Sequence, residues 1–310
     1  MIELNPINQT KLFGLDKYIY ELIDLEKRDV LPNKIILSGQ KGLGKSTLAY
    51  HIINYILSKN ELDCYDVDNL EINQKNHSFI TVLNKSNPNF ILIDSFSEKK
   101  GVDISQIRNL ISKLNKSSFN DKPRFVLIDN IETLNINSIN ALLKTIEEPS
   151  FNTHFILINN NKKILPTLFS RFINFKISLS NKESLDISDK LLDGNLYKLI
   201  NEDLINYYST PGNIYHLAKF SQTNKFDLSK KDLKEFLKII ISENHYKKDS
   251  VIKYLVFDFI EFYFRKMSLS FKSEINDKYT YFLKRIFTTK KYNLDEESLF
   301  IELKEEIING

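Results

Sequence analysis

The sequence predicts an α/β fold, a mostly parallel sheet covered by helices, followed by an all-helical region. Four short apolar runs in the first half are continuous rather than alternating, and segments of helical period separate them. After about residue 176 the strand signal fades. Continuous apolar runs mark strands buried on both faces, and strands alternating with helices build parallel sheets.

The runs are "KIILS" (34–38), "FILID" (90–94), "RFVLID" (124–129) and "HFILIN" (154–159). An amphipathic helix is expected after the first, because Leu48, His51, Ile52, Tyr55 and Ile56 recur at helical spacing. Ile107, Leu110, Ile111 and Leu114 form a second stripe, and Ile139, Leu142, Leu143 and Ile146 a third. Pro149 closes the third, since proline cannot continue a helix. Short helices are expected over "NKESLDISDKLLDG" and over 195–220, with a break at Pro211-Gly212. From about residue 228 the pattern is long and helical. Val251, Leu255, Phe259 and Phe262 are expected on one helix face, with further helices through 275–287 and 295–308.

Composition excludes little. Lysine and arginine exceed aspartate and glutamate by 43 to 40, a net charge of +3. That is too mild to argue for nucleic acid, so any such contact needs a local patch or a larger assembly. Lys247-Lys248 and Lys290-Lys291 read as solvated faces. Cys64 is the single cysteine, which rules out an internal disulfide and a multi-cysteine metal site. It is expected to be a small buried or indifferent side chain. The first residues show neither a basic leader nor an apolar core, and no run approaches membrane-spanning length. A reducing cytoplasm is the expected home.

Chemistry concentrates in two motifs. Gly39-Gln40-Lys41-Gly42-Leu43-Gly44-Lys45-Ser46, followed by Thr47, fits G-x-x-x-x-G-K-[ST] at every required position, between a buried strand and a helix. Glycines let successive N–H groups face phosphates at the positive end of the helix. Lys45 would reach the β- and γ-phosphates, and the Ser46 hydroxyl would ligate magnesium, making ATP or ADP with Mg²⁺ the expected cofactor. Asp129, ending a buried strand, is where such a protein holds the same metal. The next residue is Asn130, an amide that can hold a water but cannot take its proton. Glu132 lies two residues further on and is given no role from sequence.

With these residues in view, the chain resembles bacterial clamp-loader subunits of the AAA+ P-loop class, in particular the δ′ family of DNA polymerase III. The stretches that carry the resemblance are "LFG" (12–14), the loop at 39–46, "LIDNIETLNINSINALLKTIEEP" (127–149) and "ILPTLFSRF" (164–172). "NPNF" and "VDISQIRNL" are also similar to δ′ chains. The resemblance is strong from Leu12 to about residue 175, weak beyond it, and only architectural in the last 80 or so residues.

It implies an AAA+ α/β nucleotide domain over 1–175, a helical lid over 176–227 and a helical collar over 228–310. It implies a role in DNA replication, within a five-membered ring of clamp-loader subunits that acts on a sliding clamp and primer–template DNA. ATP sits between ring neighbours in that family, and the arginine of its Ser-Arg-Cys motif serves the next pocket, a part that falls here to Arg171. Asn159 or Asn160 stands at the family's first sensor position, and Asn159 is taken as the site residue. Hydrolysing members carry Asp-Glu where this chain has Asp129-Asn130, and an arginine where "STPGNI" puts Gly212. Phe172 replaces the motif's cysteine. The family's zinc module needs four cysteines and cannot be carried over, so no zinc is expected. The resemblance therefore implies a non-hydrolysing subunit lending Arg171 in trans. The alternatives are a γ/τ-like motor subunit and an unrelated P-loop kinase or transporter ATPase.

Overall fold

The computed structural model describes residues 4–94, 104–116, 120–149, 152–206, 209–268, 273–292 and 294–305. They fall into two compact units, Met1–Glu183 and Ser184–Gly310. In the first, chain order is α1 (Asp16–Lys27), β1 (Lys34–Ser38), α2 (Lys45–Leu57), α3 (His77–Leu83), β2 (Phe90–Ile93) and α4 (Ile104–Leu114). There follow β3 (Arg124–Ile128), α5 (Ile136–Glu147), β4 (Thr153–Asn159), α6 (Pro166–Phe169) and β5 (Ile173–Lys176). All pairings are parallel, in the order β2-β3-β4-β1-β5.

The sheet has a core on each face, which explains the continuous apolar runs. Ile35, Leu37, Phe125, Leu127, Ile156 and Ile158 point into one core with residues of α1, α2 and α3. Ile36, Val126, Ile128, Phe155 and Leu157 point into the other, with residues of α4 and α5. Successive strand residues face opposite sides, so the central positions of β1, β3 and β4 are apolar at both parities and buried polar residues stand at the strand ends. Each fully buried aliphatic contributes roughly 1.5–3 kcal/mol.

Two expectations about the first unit need correction. A fifth strand, β5, pairs with β1 from Ile35↔Ile173 to Ser38↔Lys176. Its four residues alternate and lie on an edge with Ile173 exposed, so no continuous run announces it. The helix after the loop is not amphipathic: every residue of α2 from Leu48 to Leu57 is buried. Its polar side chains are accommodated by bonds. His51 pairs through Nδ1 with the Tyr65 hydroxyl at 2.9 Å and through Nε2 with the Gln9 carbonyl at 3.1 Å. Of the two readings of Cys64, buried or indifferent, its exposure leaves the second.

Spanning the division is α7 (Asn181–Leu191), and the second unit continues through α8 (Pro211–Asn224), α9 (Leu233–Ser242), α10 (His245–Lys248), α11 (Ser250–Ser268), α12 (Ser273–Tyr292) and α13 (Glu296–Leu303). Side-chain caps start several of these, among them Thr210 for α8, with Pro211 in its first turn, Asp232 for α9 and Asp295 for α13. Edge-to-face aromatic pairs such as Phe220–Phe236 and Phe236–Phe259 knit the interior, and Phe282 and Phe300 are fully buried. The buried face of α11 is centred on Ile252, Leu255, Val256, Phe259, Ile260 and Phe264. Val251 and Phe262 are only partly buried, so the expected stripe is rotated. Val102 and Asp103 of the "VDISQIRNL" stretch, and residues 306–308 of the last expected helix, lie outside the described residues. Among the described residues no helix is long and apolar enough to cross a membrane.

Candidate nucleotide-binding site

Everything in the predicted site except Gly212 belongs to the first unit, and all of that but Arg171 lies at the carboxyl ends of β1, β3 and β4. The loop at 39–46 joins β1 to α2 and is tied down at its base, where the Gly39 N–H donates to the Asn159 carbonyl at 3.2 Å. A Cβ at position 39 would stand 2.4 Å from the Ile177 carbonyl oxygen, so only glycine fits there. Gly42 and Gly44 have φ of +86° and +85°, the left-handed region that glycine enters without strain. Leu43 is buried and anchors the loop tip, while Gln40 is exposed and Thr47 half-buried in the first turn of α2. The unpaired N–H groups of that turn make it a seat for an anion.

Two lysines belong to the loop, and a third, Lys162, lies near enough to act on one of them. Lys45 is 3 % exposed, and its Nζ donates to the carbonyls of Gly39 at 3.0 Å and Gln40 at 2.6 Å. Burial pushes its pKa down to about 8, although Asp129 and Glu132 pull it back upward. Burial also lowers Lys41, and the charge of nearby Lys162 adds to that effect. Crowded, desolvated ammonium groups of this kind are relieved by a polyanion.

The two oxygen-bearing residues expected at the metal lie together. Ser46 Oγ donates to Asp129 Oδ2 at 2.8 Å, joining the start of α2 to the end of β3. The Asn130 N–H donates to the other carboxylate oxygen at 2.8 Å. Burial, with the Asp94 carboxylate adding to it, holds the Asp129 carboxyl above its usual range despite those bonds. A hydroxyl and a carboxylate are hard oxygen ligands, and magnesium asks the protein for only one or two such groups. Lysines, orphan amides and this oxygen pair together fit a magnesium–nucleotide complex.

Beyond Asp129 the arrangement changes character. Asn130 takes up the left-handed conformation, φ +56°, and is buried. Its Oδ1 accepts from Asn160 Nδ2 at 2.8 Å, and the same Nδ2 donates to Glu132 Oε1 at 2.9 Å. Asn159, the residue chosen from sequence, spends its amide within its own turn, donating to the Lys162 carbonyl at 3.0 Å and accepting from the Lys162 N–H at 3.1 Å. It is Asn160 whose side chain reaches the Asp129–Asn130 corner. Sequence reasoning passed over Asp94, Glu132 and Lys162 as well. Asp94 had a readable signal, since "FILID" ends as "FVLID" does and the two strands pair in register.

Arg171 stands apart from these groups. It follows α6, partly exposed, and its guanidinium bonds the Thr167 carbonyl and pairs with Glu147 near the end of α5. A half-exposed pair of this kind is worth about 0–1 kcal/mol and is easily exchanged for another partner.

A parallel sheet in the order β2-β3-β4-β1-β5, with a G-x-x-x-x-G-K-[ST] loop after β1 and an aspartate after β3 bonded to the loop's serine, defines an AAA+ α/β domain. Residues 15–181, just over half of the chain, match the family model described as DNA polymerase III, delta subunit, and the chain belongs to that family. A DNA polymerase III subunit delta′ of Buchnera aphidicola subsp. Baizongia pistaciae is 32% identical over 164 residues, covering 49% of this chain and 46% of the relative. A DNA polymerase III subunit gamma of Buchnera aphidicola subsp. Schizaphis graminum is 30% identical over 151 residues, 48% of this chain and 39% of the relative. The chain thus spans less than half the length of these relatives. Among solved structures, a DNA polymerase III gamma subunit-related protein of Thermotoga maritima is 17% identical with a TM-score of 0.44, covering 91% of this chain and 96% of that one.

Proposed function

We propose that this chain is a clamp-loader subunit of a DNA polymerase III holoenzyme that binds Mg-ATP, hydrolyses little or none of it, and lends Arg171 to a neighbour's pocket. The observation that carries this reading is the contrast across one peptide bond. Asp129 faces Ser46 as a metal pair, while Asn130 has its side-chain oxygen already occupied by Asn160. Lys45, Lys41 and the first turn of α2 would hold the phosphates, and Ser46 with Asp129 the metal. Bound magnesium would supply charge neutralisation at the phosphates. A general base would have to come from position 130, and an amide has no basic site to offer.

In this reading 176–227 acts as a lid and 228–310 as a collar, in a five-membered hetero-oligomeric ring that loads a sliding clamp onto primer–template DNA in the cytoplasm. Any DNA contact would be made with the backbone by the whole ring, salt-dependent and indifferent to sequence. Arg171 suits service in trans because it is partly exposed and held only by Glu147 and a carbonyl. A guanidinium offers a planar fork of donors to a γ-phosphate, and a finger supplied in trans is worth about 10³–10⁵ in rate. The similarity to a gamma subunit keeps a motor reading in view. Asn130, and Gly212 in the first turn of α8, count against it.

The test uses rings rebuilt from purified subunits with wild-type chain or Arg171→Ala. Nucleotide affinity of this chain and ring assembly should be unchanged, while hydrolysis in one neighbouring pocket and clamp loading should fall sharply. Arg171→Lys should rescue poorly. Equal clamp loading and DNA-stimulated ATPase in both rings would remove Arg171 from the mechanism.

A further inference from the structure

We infer that Glu132, Asn160 and Asn130 form a relay of positioning residues that turns a hydrogen-bond donor of Asn130 toward the terminal phosphate, so that the site prefers a nucleoside triphosphate to a diphosphate. This rests on the nucleotide-binding reading above and adds a discrimination that the loop alone does not supply.

The argument begins at Glu132, in the short 3₁₀ turn Ile131–Thr133 that follows β3. A carboxylate only accepts hydrogen bonds. Asn160 approaches it twice, with its backbone N–H 3.4 Å from Oε2 and its Nδ2 2.9 Å from Oε1. The amide of Asn160 must therefore face Glu132 with its NH₂ group. The second N–H of that group then points at Asn130, 2.8 Å from its Oδ1, and so dictates the orientation of the Asn130 amide in turn. The oxygen of Asn130 is thereby held toward Asn160. Its Nδ2 remains, buried and with no acceptor among the described residues.

A buried donor without a partner is destabilising, and an acceptor supplied from outside removes that cost. The setting says which acceptor. Asn130 adjoins Asp129, which is bonded to Ser46, and Glu132 lies close enough to Lys45 and Lys41 to raise the pKa of both. The orphan N–H thus belongs to the end of the loop where the last phosphate would lie, and phosphate oxygens are strong acceptors. The diphosphate lacks the group that would meet it.

Titration calorimetry on the full chain with magnesium, comparing ADP with a non-hydrolysable ATP analogue, tests the relay. Wild type should favour the triphosphate. Asn130→Asp is isosteric, keeps an acceptor for Asn160 and replaces the donor by a negative oxygen. It should cut triphosphate affinity by about 10-fold or more, the weight of one hydrogen bond to a charged group, and leave ADP within about 3-fold. Glu132→Ala frees both amides and should erode the preference in the same direction by a smaller factor. Thermal melts of both variants confirm that they are folded. A triphosphate-to-diphosphate affinity ratio unchanged in both would overturn the inference and leave the relay as a turn lock. A wild type that binds neither nucleotide would instead overturn the binding reading, and the inference with it.

Discussion

The phosphate loop and the corner after β3 stand side by side in the same site, yet they are specified in different ways. Within the loop, the proposed phosphate binding rests on backbone geometry and one buried ammonium, and the G-x-x-x-x-G-K-[ST] string specifies both. At the corner, function depends on which atom of an amide faces inward, and that is decided by Asn160, thirty positions away on another strand end. A loop of the first kind can be read as a string of letters. A corner of the second kind needs its neighbours.

The loop half can be broken most severely through Lys45. Lys45→Met keeps the aliphatic bulk and removes the charge, so nucleotide affinity should fall by about 100-fold or more, as expected when a charge-assisted contact to phosphates is lost. Thermal stability without nucleotide should hold or rise, because the buried charge that burial disfavours is gone. Affinity within a few-fold of wild type by calorimetry would mean that the lysine is not a phosphate ligand.

Next in size is the support beneath the loop. His51 is fully buried on α2 and held neutral, its pKa lowered to about 4 from an ordinary 6.5, chiefly by burial. Between those values the unfolded chain takes up a proton that the folded chain refuses. Stability contributed by the neutral form is therefore complete above about pH 6.5 and is lost on acidification toward about pH 4, by up to roughly 3 kcal/mol. Melting curves across this window should slope steeply in wild type and less steeply in His51→Leu. Identical slopes would show that His51 is not the titrating group.

A smaller effect sharpens the electrostatic side of the comparison. With Lys45 at about 8 in the free chain, a bound polyphosphate should raise its pKa and draw in a proton. Calorimetry near pH 8 in buffers of different ionisation heat should give uptake of about half a proton from this group, and near pH 6 none. No uptake near pH 8 would contradict the assignment.

What sequence could and could not reveal follows the same division. The four continuous runs are legible as strands because both faces of each are buried. β5 escaped because Ile173-Asn174-Phe175-Lys176 is short, alternating and at an edge. The burial of α2 on all sides was hidden because Tyr50 and Asn54, off the expected stripe, look like polar-face residues until Phe90 and Asn76 are seen against them. On α11 the apolar residues are so many that several faces fit the spacing, and packing chose the one through Ile252, Val256 and Ile260. Asn159 and Asn160 are adjacent and chemically identical. Only the end of β4 separates them, turning one amide into its own turn and the other toward Asn130. Lys162 and Glu132 carry no motif, and their place beside the loop is a product of strand order.

The central claim is that this pocket holds ATP without turning it over. The direct measurement is a single-turnover experiment, with the purified chain in excess over labelled Mg-ATP and samples quenched over time. The nucleotide should bind saturably and be recovered as ATP, and Asn130→Glu alone should not produce a useful rate, since no neighbour supplies an arginine to an isolated chain. Conversion of bound ATP to ADP by the wild-type chain at ~1 per second, within the ordinary range of enzymes, would contradict it.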